Sequence, residues 1–250
     1  MNIAIVGFGK MGHMIYKEAV ERGENVVAVI DPWSPSPEVT ALAVDAASLN
    51  NADVAIDFSH PATALENIHI YAQVGIPAVI GTTGWYDDIE EVKEMIKPLK
   101  PAIIYSGNFS IGVTAFSAIA KYAASIFNSL PDYDVSVKEI HHTQKKDAPS
   151  GTAIMLAEQM LPYLDRKDGT SFMDPASDKI NITSERTGDN PGFHEIKFKS
   201  GVDEIVLSHQ AFSRQGFAFG ALMAARWISD GRRGLFTMDD FAKDFLKIGN

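Results

Sequence analysis

The sequence predicts an α/β protein: a parallel sheet in its first part and an inserted α+β region with a mixed sheet further on. Three observations predict this. Short apolar runs alternate with helical stretches from Asn2 to Tyr105, the pattern that builds parallel strands joined by crossover helices. The run Gly7-Phe8-Gly9-Lys10-Met11-Gly12 joins the first apolar segment to the first helical one. Beyond Asp134 the strand-like segments follow one another with a single helical stretch among them, which points to a mixed or antiparallel sheet with helices on one face.

Asn2 to Val6 is apolar and Lys10 to Arg22 is helical in pattern, so the glycine run lies between strand and helix. Gly7 permits a tight turn, Gly9 lets backbone approach a pyrophosphate, and Gly12 lets the helix pack close to the strand. The next apolar run, Asn25 to Ile30, ends in Asp31, nineteen residues after Gly12, where a carboxylate can accept hydrogen bonds from an adenosine ribose. This is the signature of a Rossmann-like dinucleotide-binding domain. Strands are expected at Asp53 to Phe58, Pro77 to Ile80 and Ala102 to Tyr105, and helices at Thr63 to Val74 and Asp87 to Leu99. The proline- and serine-rich stretch Trp33 to Glu38 is a loop at the sheet edge.

The inserted region opens with an apolar helix, Phe116 to Phe127. Asp134 to Ile140 alternates apolar and polar residues as a half-buried strand does, so His141 and His142 emerge at its end on opposite faces. Pro149 and Ser150 stop the following loop, and Thr152 to Leu161 is an amphipathic helix whose first-turn N–H groups suit a carboxylate. Strands Lys179 to Glu185, Phe193 to Ser200 and Asp203 to Gln210 precede helices at Phe217 to Ser229 and Met238 to Ile248.

From Glu139 to Ala153 the chain gathers two imidazoles, two ammonium groups and a helix start, the makings of an anion-binding, proton-donating site. His13, His60, His69 and His209 lie in no dense polar cluster and are expected to be structural, whereas His194 is left open. No metal is expected, because adjacent histidines on a strand diverge and no carboxylate stands at ligand spacing. A net charge of −10 argues against a nucleic-acid partner and leaves room for a local cationic pocket. With 46% hydrophobic and 22% charged residues the composition is globular. The absence of cysteine excludes disulfides and thiolate chemistry. No apolar run reaches the roughly 20 residues a membrane span needs, and the N-terminal residues enter the first strand without a signal-peptide pattern. A cytoplasmic protein is the expectation.

The two features together resemble the dihydrodipicolinate reductase family, the 4-hydroxy-tetrahydrodipicolinate reductases of diaminopimelate and lysine biosynthesis. Its motif E-x-H-H-x-x-K-x-D-x-P-S-G-T-A is matched from Glu139 to Ala153, and the resemblance extends to Gly81-Thr82-Thr83-Gly84, Asn108-Phe109-Ser110-Ile111-Gly112 and Arg214. It implies a dinucleotide-binding domain of residues 1–109 and 215–250, and a substrate-binding and oligomerisation domain of residues 110–214 that holds a homotetramer together. It also implies that Gly81, Thr82 and Thr83 wall the cofactor site and that Ser106, Gly107, Asn108 and Phe109 line the nicotinamide pocket. The substrate it implies is a small cyclic dicarboxylate. Its proton would come from His141; Lys145 would hold a carboxylate and stabilise developing charge; His142 would orient the ring; and Ser150, Gly151 and Thr152 would bind the second carboxylate. Lys146, which the motif does not fix, is expected to be a solvated charge. Glycines near Gly107 to Gly112 and Arg214 to Gly216 would allow closure. Pro32 follows Asp31 where relatives that accept a 2′-phosphate often carry arginine, so NADH is expected to serve at least as well as NADPH, with Lys10 supplying part of the missing charge. An amino-acid dehydrogenase would share the glycine run but has no need of His-His-x-x-Lys, and a redox sensor would need a basic or docking module.

Overall fold

The computed structural model describes residues 1–172 and 174–247, and the chain divides into two units: Met1–Ile111 with Gln215 onward, and Gly112–Arg214. In the first unit the apolar runs form β1 (Asn2–Val6), β2 (Asn25–Ile30), β3 (Val54–Asp57), β4 (Ala78–Ile80) and β5 (Ala102–Tyr105). A further strand near the C-terminus, β11 (Gly234–Thr237), joins them in the order β11-β5-β4-β3-β1-β2, with every pairing parallel. The sequence reading missed β11 because it has four residues and no sustained alternation. Strands β3 and β4 are buried at every residue, as a sheet covered on both faces requires.

One face is covered by α1 (Lys10–Glu21), α6 (Gln215–Ile228) and α7 (Met238–Phe245), which pack Ile15, Leu222, Trp227, Ile228 and Phe241 over Ile3, Ile5 and Ile56. Each large side chain buried in this way contributes about 1.5–3 kcal/mol. The other face carries α2 (Pro61–Val74) and α3 (Ile89–Ile96), with Ile68, Tyr71 and Val92 over Ala4, Ala55 and Ile80. The helix expected from Asp87 is a 3-10 turn, Tyr86–Asp88, followed by α3, which ends before Lys97 because Pro98 disfavours the helical conformation of the residue it follows. For the last helix, α7 ends at Phe245, and the expected end at Ile248 lies outside the described residues.

The second unit holds a five-stranded sheet of β6 (Asp134–His141), β7 (Gly169–Ser171), β8 (Lys179–Arg186), β9 (Phe193–Lys199) and β10 (Glu204–Gln210) in the order β10-β9-β6-β8-β7. It is mixed: β6 pairs antiparallel with β9 and parallel with β8. Two helices, α4 (Ile111–Asn128) and α5 (Gly151–Met160), pack Phe116, Phe127, Leu156 and Met160 against Val135, Val137, Ile182, Ile196 and Phe198. Helix α4 begins five residues ahead of the expected Phe116, at the Ile111-Gly112 pair that the periodicity did not recruit.

Candidate active site

In the first unit every candidate cofactor residue follows the carboxyl end of a strand: Gly7 after β1, Asp31 after β2, Gly81 after β4 and Ser106 after β5. Ligands of open α/β sheets bind along that edge. Gly7 has φ +83°, and a Cβ there would stand 2.4 Å from the Phe58 carbonyl oxygen; a Cβ on Gly12 would stand 2.1 Å from the Gly7 oxygen. The fold itself therefore requires both. Gly9 differs, since its φ is −81° and a Cβ would meet nothing within 4 Å. Neither the backbone nor the protein interior demands glycine at this position, and α1 begins there with no side-chain cap and no acidic residue in its first turn. The opening suits a pyrophosphate laid against the helix start. Lys10 is exposed and Met11 is half-buried against the core.

Asp31 is nearly buried, and its carboxylate accepts three backbone amides: Phe8 at 2.6 Å, Trp33 at 2.7 Å and Ser34 at 2.8 Å. Burial alone would raise its pKa, but these amides hold the group below the ordinary carboxylate range. Two expectations change here. The Phe8 amide is committed to Asp31 while its ring is buried and stacks on His13 with centroids 4.0 Å apart, so Phe8 builds the loop rather than facing a ligand. Thr82 likewise turns inward, its hydroxyl donating to Asp57 at 3.0 Å; Thr83 is exposed.

Asp57, fully buried at the end of β3, was not singled out from the sequence. Besides Thr82 it accepts the Ser59 amide (2.9 Å) and hydroxyl (2.6 Å), the Asn67 side-chain amide (2.9 Å) and the Tyr71 hydroxyl (2.7 Å). Burial, with Asp57 beside it, pushes the Tyr71 hydroxyl well above its usual pKa, so it remains a donor. The segment after β5 is pinned by its own side chains: Ser106 Oγ accepts the Asn108 amide at 3.0 Å, and Asn108 Oδ1 accepts the Ser110 amide at 2.9 Å. Gly107 is exposed, and the Phe109 ring is buried against Phe58.

In the second unit the inward face of β6 reads Val135, Val137, Glu139, His141. The apolar layer therefore turns polar at the strand's carboxyl end, where it meets the start of α5. Glu139 is fully buried; its Oε1 accepts the Ser150 amide at 2.9 Å and Arg186 Nη2 at 2.8 Å. His141 Nδ1 lies 2.9 Å from Glu139 Oε2, an ion-pair distance without the alignment of a hydrogen bond. Burial would raise the Glu139 pKa, but contacts from His141, Ser150, Arg186 and Ser184 outweigh it and keep the carboxylate ionised far below its ordinary range. An ionised carboxylate at that distance favours a proton on Nδ1, which leaves Nε2 as the ring's other nitrogen, free of that pair. A Cβ on Gly192 would sit 3.2 Å from that Nε2, so glycine keeps the ring's outer edge clear.

The neighbouring residues are arranged around this pair. His142 is half-exposed, with its amide donating to the Asn190 carbonyl at 2.8 Å. Lys145 is half-buried and pairs with Asp147 at 2.7 Å, whereas Lys146 is exposed. Ser150 departs from expectation: only 2% exposed, it gives its amide to Glu139 and uses Oγ to cap α5 through the Ala153 amide at 3.2 Å. Its role is to build the cradle, while Gly151 and the half-buried Thr152 form the exposed part of the helix start.

Sequence reasoning missed Arg186 and left His194 open; both reach the site by cross-strand register, His141 opposite Arg186 and Glu139 opposite His194. Burial, with His141 next, pushes His194 down to about 4, so it is neutral near pH 7; neither ring nitrogen finds a partner among the described residues. Glu139, His141 and His194 each offer a ligand atom within 4.8 Å of the others. The expectation that no carboxylate stands at ligand spacing is therefore corrected: Glu139 precedes His141 by two residues on the same face. The Arg186 guanidinium pairs with Glu139 Oε1 at 2.8 Å, while His141 faces Oε2.

Comparison with known proteins gives this geometry its context. Residues 1–109 match the family model for the N-terminus of dihydrodipicolinate reductase, and residues 112–242 match that for its C-terminus. The 4-hydroxy-tetrahydrodipicolinate reductase of Christiangramia forsetii is 39% identical over 247 residues, covering 99% of this chain and all of that one. That of Archaeoglobus fulgidus is 36% identical, covering 96% of this chain and 99% of its own. The dipicolinate-bound dihydrodipicolinate reductase of Paenisporosarcina sp. TG-14 superposes with a TM-score of 0.78 at 26% identity, over 95% of this chain and 97% of that one. The glycine run at the first strand and the Glu139–His141 pair at the end of β6 thus stand in a chain that belongs to the dihydrodipicolinate reductase family.

Proposed function

We propose that the protein reduces 4-hydroxy-tetrahydrodipicolinate to tetrahydrodipicolinate with a nicotinamide dinucleotide, the reduction step of diaminopimelate and lysine biosynthesis. The observation that carries the reading is the buried Glu139–His141 pair beside Lys145 and the start of α5, which unites a proton donor with an anion cradle. The first unit would hold the dinucleotide at Gly7, Gly9 and Gly12, with Asp31 toward the ribose and the backbone of Gly81 to Thr83 and Ser106 to Phe109 toward the nicotinamide. When bound there, the reduced nicotinamide supplies a hydride.

The substrate's C4 hydroxyl leaves as water together with a C3 hydrogen to give a conjugated imine; the hydride that the nicotinamide would supply goes to C4, and the electron density displaced onto C3 takes a proton. His141 delivers that proton from Nε2, while Glu139 holds the proton on Nδ1 and stabilises the charged ring. Lys145 exchanges its Asp147 partner for a substrate carboxylate and offsets developing charge. Gly151 and Thr152 receive the second carboxylate at the helix start. His142 bounds the ring.

NADH serves at least as well as NADPH in this reading, because the Asp31 carboxylate is held ionised where a 2′-phosphate would come. Such like-charge placement costs several kcal/mol when buried. A homotetramer assembled through the second unit is supported by its exposed apolar surface: Ile119, Tyr122 and Ile126 form one stripe of α4, and Ile205 and Val206 expose both faces of the edge strand β10. The reaction belongs in the cytoplasm, and no described helix is long and apolar enough to cross a membrane. Oxidation of NADH and of NADPH with enzymatically generated 4-hydroxy-tetrahydrodipicolinate tests the reading. No consumption of either would refute it, and a strong NADPH preference would refute the cofactor assignment.

A further inference from the structure

Trp33 is 72% exposed, whereas Trp85 and Trp227 are buried. Its position is not loose. The Trp33 and Ser34 amides both donate to Asp31 Oδ1, fixing this loop against the carboxylate that ends β2. The indole and the His60 ring stand at a steep angle to one another, with centroids 6.3 Å apart and planes at 67°. His60 is fixed in turn, because its Nδ1 caps α2 by accepting the Ala62 amide at 3.2 Å. The two rings therefore stand just past the carboxyl ends of β2 and β3, next to the ribose-binding carboxylate. No lysine or arginine occurs between Arg22 and Lys93, so the segments forming this rim carry aromatic surface and no cation.

We propose that Trp33 is the adenine-binding residue, its exposed indole face stacking on the cofactor's adenine while His60 braces the indole from the side. This rests on the dinucleotide site assigned above and extends it to the adenosine end. A base stacks on an aromatic plane without needing a cation, and the neighbouring ionised Asp31 disfavours a 2′-phosphate, so the same rim that binds adenine selects the unphosphorylated dinucleotide.

The test is calorimetric titration with ADP-ribose, which has adenine but no nicotinamide, and with nicotinamide mononucleotide, which has the reverse. Trp33→Ala weakens ADP-ribose by roughly tenfold, in line with base–aromatic stacking, and leaves the mononucleotide unchanged; Trp33→Phe retains most of the affinity. In the wild type ADP-ribose quenches the exposed tryptophan emission, and in Trp33→Phe that quench disappears. ADP-ribose affinity unchanged in Trp33→Ala, or an equal loss for both ligands, overturns the assignment while leaving NADH turnover intact. A wild-type protein that binds neither ADP-ribose nor NADH overturns the dinucleotide site and this inference together.

Discussion

In the proposed reaction Glu139 makes His141 a defined acid: an ionised, fully buried carboxylate 2.9 Å from Nδ1 fixes the tautomer and leaves one nitrogen to act. His141→Gln keeps volume and a hydrogen-bonding group but cannot give up a proton at neutral pH, so turnover should fall by about 10²-fold with NADH affinity unchanged. Turnover near wild type would move the acid to Lys145 or water. The two adjacent lysines separate a built site from a diffuse field, since Lys145 is half-buried and paired and Lys146 is exposed. Pyridine-2,6-dicarboxylate should lose roughly 2 kcal/mol of binding in Lys145→Ala, the scale of a charge-assisted hydrogen bond, and almost nothing in Lys146→Ala. Equal inhibition constants for the two variants would dismantle the carboxylate cradle.

At the scale of elements, the glycine loop separates what folding requires from what a ligand requires. Gly12→Ala drives a Cβ into the Gly7 oxygen and should lower the thermal midpoint. Gly9→Ala meets no protein atom, so it should leave the midpoint unchanged and weaken NADH, as paired melting and binding curves would reveal. The row of Glu139, His194 and His209 across β6, β9 and β10 predicts a pH effect. Because the folded His194 sits near 4 and its unfolded counterpart near the ordinary 6.5, the unfolded chain takes up the proton first as pH falls. Stability is therefore lost between about pH 6.5 and 4, by roughly 3 kcal/mol in all. Denaturation midpoints of His194→Gln should depend less steeply on pH than those of wild type across that window; parallel slopes would argue otherwise. The row also marks the limit of what the sequence discloses. Strands β1, β2 and β5 are legible residue for residue, and His141 is legible because period-two alternation is local. Arg186 and His194 are not, because they depend on register between strands far apart in the chain. Asp57 escapes notice for a related reason, as its donors lie on three separate segments. Strands β7 and β11 are too short to show a period.

For the whole molecule, the division of the core matters more than the number of elements. Helix α6 and strand β11 come from the end of the chain, yet Leu222, Ala225 and Ile228 are packed in the same cluster as Ile3, Ile5 and Ile56, and Gly234 pairs with Ala102. A chain ending at Arg214 should therefore expose one apolar face of the first sheet and aggregate, while Gly112–Arg214 keeps its protease resistance; loss of protection over the whole chain would contradict this. The same arrangement bears on how the protein is made. During synthesis the second unit is complete once Arg214 clears the ribosome, but β1 and β3 must wait for the later-made α6 before their inner surface is covered. Residues 2–105 thus emerge well before the helix that covers them, and in that interval the nascent chain carries an open apolar sheet face that chaperones would recognise.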